Sequence, residues 1–573
     1  MGTTAPRTVI PHSSFDSVVL AAVVSECQDL VGARLQQVLP SGLNGLALAL
    51  RTGGRTHRLL LSTHPRFGRV HLVEALEPAA PVPFAQLVRG RLEGARLTAV
   101  ATVEFERIFT CTFETLEGPY DLIAEIMGRH SNLILCAGGV IVGALKQIGP
   151  DRSRVREVLP HRPYTPPPQM RPTPVTVAAV ELAERGDRPA WRAVFEAVSG
   201  IGPALAWEAC VRAGAAPDGP LDEDAAVKVA SSLHAIGSAV AAARFDPVLY
   251  RGPDGAPAAY APFPMVSLEH LQPERSSMSA AVEAVAQSAV GRARFEETRQ
   301  GLAATVRQAL DRLHRTLAAV AEDAQEAEGA DRLREQGELI LAYLSQIAPR
   351  AAVLEVPGFD GRPVSIPLDP TRSGVENAQA CFKRYAKAAA ARRRLPERQA
   401  ALETDRAFLE ESATTIAQAE DADDLWEVEQ DLISSGVRKR ARPAGRPRAV
   451  ASGRSFDLPG GLRVQVGRSA RENDHLTFEV AGPDDLWLHA RGMPGAHVIL
   501  TGARGQPGEE SVLAAARIAA YYSDGRSATR VPVDVTKRRF VRRIRGGRPG
   551  QVHYSGERTL AVAPGLPPRP STH

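Results

Sequence analysis

Cysteine is scarce in this chain. There are five in 573 residues, at positions 27, 111, 136, 210 and 381, and no Cys-x-x-Cys pair. An odd, dispersed set argues against a disulfide framework or a zinc site and for reduced thiols in a cytosol. Long apolar runs are missing too: none approaches a membrane span, and the opening MGTTAPRTVIPHSSFD lacks the apolar stretch of a signal peptide. A cytoplasmic protein with no membrane partner is expected. Charge of one sign is not in large excess. The net charge is +4 with 23% charged residues, so any nucleic-acid signal has to come from local clustering. Common catalytic signatures are also missing. No Gly-x-Ser-x-Gly, P-loop, His-Glu-x-x-His or full dinucleotide fingerprint occurs, and neither enzyme activity nor a cofactor is expected.

What is present divides into segments. Residues 10–170 alternate apolar runs with turns. "LNGLALALRT", "THRLLLSTH", "LTAVATVEF", "RIFTCTFE" and "NLILC" have the pattern of strands, and "FDSVVLAAVVSECQDL" and "PFAQLVRGRLEG" that of helices, an α+β domain. The proline cluster "RPYTPPP" closes it. Residues 175–265 look helical, and within them "FEAVSGIGPALAWEAC" has the form of a helix-hairpin-helix. Gly200-Ile201-Gly202 could expose backbone N–H groups to a phosphate; a plain turn between two helices is the other reading. Residues 275–437 carry two long helical stretches. Leu302, Val306, Leu310, Leu313, Leu317 and Val320 form a coiled-coil seam in the first. The second runs from about 377 to 435, and Pro396 should kink or break it. Between them "VLEVPGFDGRPVSIPLDP" predicts two short strands about Asp360-Gly361, so the whole reads as an antiparallel arm with a compact tip. A basic linker, 438–450, leads to a last domain at 451–566. Strands are predicted there at "RVQVGR", "LTFEV", "DLWLHA", "HVIL", "PVDVT", "QVHYS" and "TLAVAP", with one helix at "EESVLAAARIAAYY".

Two features of the last domain carry chemistry. Lys537, Arg538, Arg539, Arg542, Arg543 and Arg545 face only Asp534 in the local sequence, which suits a phosphate track. In "DDLWLHARGMPGAHVIL" the period-two alternation puts Leu486, Leu488 and Ala490 on one side and Trp487, His489 and Arg491 on the other. That second face could stack bases and grip phosphates, or Trp487 could lie buried under another layer. His489 and His497 have no Cys or carboxylate set to complete a metal site, so no metal is expected. In the first domain, Glu106-Arg107 could be a catalytic acid and its partner or a strand-surface ion pair. The run Arg129, His130, Ser131, Asn132 after Gly128 suits phosphate and sugar contacts or the capping of a turn.

Six ordered segments carry a wider resemblance. They are "FDSVVLAAVVSEC", "EIMGRHSNLIL", "REVLPHRPYTPPP", "GELILAYLSQI", "IPLDPTRSGVENAQACFKRYAK" and "VGRSARENDHLTFEVAGPDDLWLHARGMPGAHVIL". The chain resembles the NFACT family, whose bacterial members are called RqcH or fibronectin-binding protein A-like and whose animal relative is NEMF. The resemblance implies a multidomain α+β protein. Its parts would be a glycosylase-like N-terminal domain, a helix-hairpin-helix domain, a long antiparallel coiled-coil arm and an α/β C-terminal RNA-binding domain. It also implies a ribosome-associated quality control factor. Such a factor binds the large ribosomal subunit carrying a peptidyl-tRNA nascent chain and recruits a tRNA, in bacteria alanyl-tRNA. The ribosome then adds an untemplated tail that marks the chain for degradation.

By that resemblance, tRNA and ribosome contacts fall on Asp16, Glu106, Arg107, Glu125, Ile126, Met127, Arg129, His130 and Asn132. RNA contacts of the last domain fall on Arg468, Asn473, Trp487, His489, Arg491, His497, Lys537, Arg538, Arg539 and Arg542. Most members carry Asp where this chain has Glu106, so charge is kept and reach grows by one methylene. The usual Gly-Ser-His is Gly495-Ala496-His497 here, without the hydroxyl. Glycosylases of similar fold use a proline after the initiator methionine, and Gly2 stands there instead, which disfavours that chemistry. The alternatives are a fibronectin-binding surface adhesin and a helix-hairpin-helix DNA-binding or repair protein.

Overall fold

The computed structural model describes residues 13–567 except 43, 77–78, 154, 169–170, 186, 440–453 and 503–506. Nearly all of the basic linker, and Gly2, lie outside the described residues. The chain forms two compact units, 1–292 and 293–573. Among the described residues no helix is long and apolar enough to cross a membrane. The five cysteines are free thiols.

The first unit is built on α1 (Ser17–Cys27), α2 (Pro83–Leu92) and nine strands. These are β1 (Arg34–Ser41), β2 (Gly45–Thr52), β3 (Arg55–Ser62), β4 (Arg69–Val73), β5 (Arg96–Thr102), β6 (Ile108–Thr115), β7 (Gly118–Glu125), β8 (Asn132–Ala137) and β9 (Val140–Ala144). They join in the order β4-β3-β2-β1-β5-β6-β7-β8-β9, every pair antiparallel. Burial of apolar side chains explains the strands, and along Gly45–Leu50 of β2 it is continuous. Leu46, Leu48 and Leu50 of β2 point inward with Leu59 and Leu61 of β3, and Val19, Leu20 and Val23 of α1 fill the space against them. β1, β4, β7 and β9 were not anticipated; they are short or broken by polar residues, and their neighbours in the sheet define them.

α3 (Ala179–Ala183), α4 (Ala190–Ala197), α5 (Pro203–Arg212) and α6 (Glu223–Ala241) enclose a second core. The helical expectation ends too late there. Residues 248–275 form a small sheet of β10 (Val248–Arg251), β11 (Pro257–Ala261) and β12 (Gln272–Arg275). "PAAYA" is rich in alanine, and its strand state is set by pairing with β10 rather than by propensity. The first turns of α7 (Met278–Glu328) pack back on the main core through Met278, Ala281 and Val282.

In the second unit the later turns of α7 meet α9 (Gly374–Gln418). Leu302 and Val306 share a core with Phe408, Leu409 and Ile416, and Val320 and Ala327 share one with Leu395. Rising numbers on one helix meet falling numbers on the other, so the pair is antiparallel. α8 (Ala330–Ala342) and the hairpin β13 (Val353–Pro357) and β14 (Pro363–Pro367) form the tip. Gly361, at φ 77°, makes the turn predicted there. α10 (Ala422–Ser434) follows. Pro396 does not break α9, which runs helical through it; Leu395 is held in the arm core beside it.

The last domain has a six-stranded sheet in the order β15-β16-β18-β17-β19-β22. Its strands are β15 (Arg454–Leu458), β16 (Leu462–Val466), β17 (Leu486–Ala490), β18 (Val498–Thr501), β19 (Val531–Lys537) and β22 (Arg558–Val562). α11 (Ala470–His475) precedes β17, and α12 (Glu509–Tyr521) covers one face through Val512, Ala516 and Ala519. A hairpin of β20 (Val541–Arg543) and β21 (Val552–Tyr554) lies on the other side. "LTFEV", expected as a strand, is instead a π-type turn continuing α11, closed by Ala481 N–H donating to Leu476 O at 2.9 Å. Arg538 donates to the freed carbonyls of Thr477 and Phe478 at 2.8 and 3.1 Å, which holds the segment out of the sheet.

A proline inside a helix removes one hydrogen bond and crowds the preceding turn, a cost of about 3 kcal/mol. Pro396→Ala is therefore expected to stabilise the arm by up to about 3 kcal/mol, read as a higher denaturation midpoint of the full chain. A lower midpoint would show that the packing of Leu395 depends on the proline.

Candidate nucleic-acid interface

Loops far apart in sequence meet at one end of the first unit. They are residues 63–68 between β3 and β4, 103–107 between β5 and β6, 126–131 between β7 and β8, and 199–202 between α4 and α5. Ile126 N–H donates to Arg107 O at 2.8 Å. A Cβ on Gly68 would lie 3.2 Å from Ile126 Cγ2, and one on Gly200 would lie 2.3 Å from Phe105 O. The last approach admits only glycine.

Asp16 holds this junction. Its Oδ1 accepts from Val18 N–H and Val19 N–H at 3.1 and 3.0 Å, capping α1. Its Oδ2 accepts from Gly202 N–H at 2.9 Å. The backbone donor that a helix-hairpin-helix would offer a phosphate is thus already taken by a carboxylate of the same unit. Ser17 N–H and Ser17 Oγ both donate to Gly200 O, at 2.9 and 2.6 Å, completing the seal. Burial pushes the Asp16 carboxyl up to about 6; the three backbone hydrogen bonds and the charge of Arg107 only partly offset it.

Phe105 takes a left-handed backbone, φ 53°, and its ring is buried in the core of α3–α6. The strain of about 1–2 kcal/mol is comparable with what burying such a ring returns. This anchors the turn and sets Glu106 and Arg107 at its tip. Glu106 is half-buried; desolvation raises its pKa against the charges of Arg107 and Arg171. The Arg107 guanidinium is exposed and makes no hydrogen bond or ion pair among the described residues.

The 125–132 run separates into a buried frame and an exposed crest. Glu125 is fully buried and gripped by both terminal nitrogens of Arg156, while Tyr164 Oη donates to Glu125 Oε1 at 2.9 Å. Arg156 and Tyr164 carried no signal in sequence beyond their place in "REVLPHRPYTPPP", and they clamp that proline segment to the sheet. Ile126 is buried and Met127 half-buried. Asn132 is buried, accepting from Lys146 N–H at 2.8 Å and donating to Lys146 O at 2.8 Å. Ser131 Oγ accepts from Met127 N–H and donates to Gly128 O, both at 2.8 Å. Arg129 and His130 remain on the surface, joined by one hydrogen bond of 2.9 Å.

The last domain departs more from expectation. Trp487 is 0% exposed, packed among Leu476, Ile499 and Val541 and against the rings of Tyr554, His489 and His497. The alternation along β17 is real, but α11, its π turn and the β20–β21 hairpin cover the second face, so Trp487 is core and not a stacking surface. His497 bonds Thr477 Oγ1 at 2.8 Å. Burial lowers the pKa of His489 and, further, of His497, which leaves both imidazoles neutral at pH 7. Arg468 is buried in a multiply bonded pair with Glu472. Asn473 Nδ2 donates to Glu411 of α9 at 2.7 Å, and its Oδ1 accepts from His497 N–H at 3.0 Å. These are joints inside the second unit.

The basic run is partly neutralised by acids distant in sequence. Lys537 and Arg539 share Asp484, and Arg543 pairs with Asp474 at 2.7 Å. Arg538 is spent on backbone carbonyls. Asp534, the one acid within the run, is buried and bonded to Tyr554 and Thr559. Arg491 pairs with Asp534 at 3.6 Å and stays exposed. Arg542 and Arg545 are exposed with no hydrogen bond or ion pair among the described residues. Among those residues no group of three or more His, Cys, Asp or Glu could hold a metal ion.

Residues 16–448 match the family described as NFACT N-terminal and middle domains, and residues 453–545 match the NFACT protein RNA binding domain. The chain is 28% identical over 565 residues to the Rqc2 homolog RqcH of Streptococcus suis, covering 96% of this chain and 98% of that protein. It is 28% identical over 576 residues to the Rqc2 homolog RqcH of Bacillus subtilis, with coverage of 96% and 98%. The solved C-terminal part of the fibronectin/fibrinogen-binding protein from Streptococcus suis aligns at 28% identity and a TM-score of 0.38, over 48% of this chain and 96% of that one.

Asp16→Ala leaves Gly202 N–H and two helix donors unpaired, and should cost about 2 kcal/mol at pH 7. The folded carboxyl, at about 6, binds its proton more tightly than the unfolded one at 3.8. Stability from that proton is complete below about pH 4 and lost as pH rises through about 6. The gap between wild type and variant should widen by up to about 3 kcal/mol as pH falls from 7 to 4, in denaturant titrations. A pH-independent gap would refute the desolvation of Asp16. For Trp487→Ala a loss of about 3–5 kcal/mol of stability is expected, with RNA affinity of the folded protein unchanged. Weaker RNA binding by a fully folded variant would restore Trp487 to the interface.

Proposed function

This chain belongs to the NFACT family, and from that premise we propose that it is a ribosome-associated quality control factor. It binds the large ribosomal subunit that still carries a peptidyl-tRNA nascent chain, recruits alanyl-tRNA, and so promotes untemplated alanine tailing that marks the chain for degradation. Two relatives over nearly the whole length are named Rqc2 homolog RqcH, which supports the reading. The protein is assigned no bond-making step. Holding a charged tRNA against the ribosomal centre supplies proximity and orientation, and ribosomal RNA supplies the chemistry. A cytoplasmic location accompanies that role.

One observation carries the assignment of the tRNA-facing end. Arg66, Arg107 and Arg129 stand on three converging loops, exposed and with no ion pair among the described residues. Their loops are fixed from beneath by Asp16, Phe105, Glu125 and Asn132, so the cations are presented on a rigid frame. Unpaired guanidinium groups held this way suit RNA phosphates. In the RNA-binding domain, Arg542 and Arg545 supply a second set of free cations.

Because the Arg107 side chain has no intramolecular hydrogen bond, Arg107→Ala should leave the denaturation midpoint of the full chain unchanged. In cells carrying only that variant, alanine-tailed nascent chains, read by mass spectrometry of their C-termini, should fall at least about tenfold, the scale of losing one charge-assisted contact. Tails at the normal level would remove Arg107 from the mechanism.

A further inference from the structure

The 63–68 loop, "THPRFG", is folded around one of its own side chains. His64 Nδ1 accepts from Arg66 N–H at 3.2 Å and from Phe67 N–H at 3.1 Å, which folds the loop around the imidazole. The His64 and Phe67 rings then stack, centroids 5.0 Å apart and 29° between planes. Arg66 lies over the Phe67 ring with its guanidinium carbon 5.4 Å from the centroid. The result is a ladder of three planar groups, His64, Phe67 and Arg66, whose last member is exposed and has no hydrogen bond or ion pair among the described residues.

The ladder adjoins the 126–131 turn. A Cβ on Gly68 would lie 3.5 Å from Ser131 Oγ, and one on Gly128 would lie 3.6 Å from Pro65 O. Arg129, in that turn, uses only its Nε, toward His130, and keeps its terminal nitrogens free. A planar cation backed by an aromatic ring, next to a second free guanidinium, has the two elements that recognise an unpaired nucleotide: a stacking plane and a phosphate donor. A paired base could not use the plane, because its faces are already covered by its neighbours in the duplex.

The geometry points to the 63–68 loop as a stacking platform for an unpaired RNA base, which lies on the Arg66 guanidinium while Arg129 takes the adjoining phosphate. This rests on the RNA-facing role of this end of the unit and adds to it a preference for single-stranded loops over duplex. The His64 hydrogen bonds serve to pre-organise the ladder, so little order is lost on binding.

The test uses the full chain and two RNA probes of equal length, a stem-loop with 2-aminopurine in its unpaired loop and a blunt duplex. Arg66→Lys keeps the charge and removes the plane. It should weaken stem-loop binding about tenfold, with less quenching of the 2-aminopurine, and leave duplex binding and the salt slope as in the wild type. Arg129→Ala should weaken both probes and reduce the slope by about one released counterion. Wild-type affinity for the stem-loop in Arg66→Lys, or an equal loss on both probes, overturns the stacking platform and leaves the RNA-facing role standing. Failure of the wild-type chain to bind either probe at low salt overturns both.

Discussion

The carboxylate of Asp16, shared between the start of α1 and the glycine turn of the α4–α5 hairpin, is the contact on which the rest of the first unit depends. It joins two cores, alongside the Ser17 hydrogen bonds to Gly200 O and the packing of Val18 and Phe105. The joint is close, and its glycines are there for that reason: a side chain at Gly200 would strike Phe105 O and Ser17 Oγ, and one at Gly202 would strike Ser14 Oγ. Glycine turns of this form in other settings leave their N–H groups open to phosphate. Here the same donor geometry is directed inward, and an internal anion satisfies it.

Buried polar groups frame the interface in the same manner elsewhere. Glu125 with Arg156 and Tyr164 fastens the proline segment under the 126–131 turn. Asn132 bridges to Lys146 and keeps the strand beneath that turn in register. In the second unit Asn473 links α9 to the RNA-binding domain through Glu411. Removing one member of such a set leaves its partner desolvated and unpaired, so each set is stiff as well as specific. Residues that a motif comparison would assign to a ligand are, in these three places, buried supports of the surface above them.

Charge follows the complementary rule. Guanidinium groups needed for structure are spent on carboxylates or carbonyls: Arg156 on Glu125, Arg468 on Glu472, Arg538 on Thr477 and Phe478. Arg66, Arg107 and Arg129 at the loops of the first unit, and Arg542 and Arg545 on the hairpin side of the RNA-binding domain, are among the exposed arginines that make no ion pair among the described residues. Net charge near zero is thus compatible with local groups of cations whose charge no ion pair offsets.

The sequence by itself determined the elements whose signal is local. α1, α2, β2, β3, β6, the arm helices and the tip hairpin follow from apolar period and turn chemistry, because the burial that drives them is written residue by residue. Six ordered segments also determined the family. Tertiary structure alone decided which groups within those elements are free. Trp487 has the same alternating pattern whether its face is open or covered, and only the β20–β21 hairpin and α11 settle that it is covered. "LTFEV" has strand propensity, yet lies on from a capped helix and is held there by Arg538. Asp16 meets Gly202 across 186 residues, and Lys537 and Arg539 meet Asp484 across more than fifty. Electrostatic partnership and burial depend on distance in space, and local pattern holds no record of what the fold brings near.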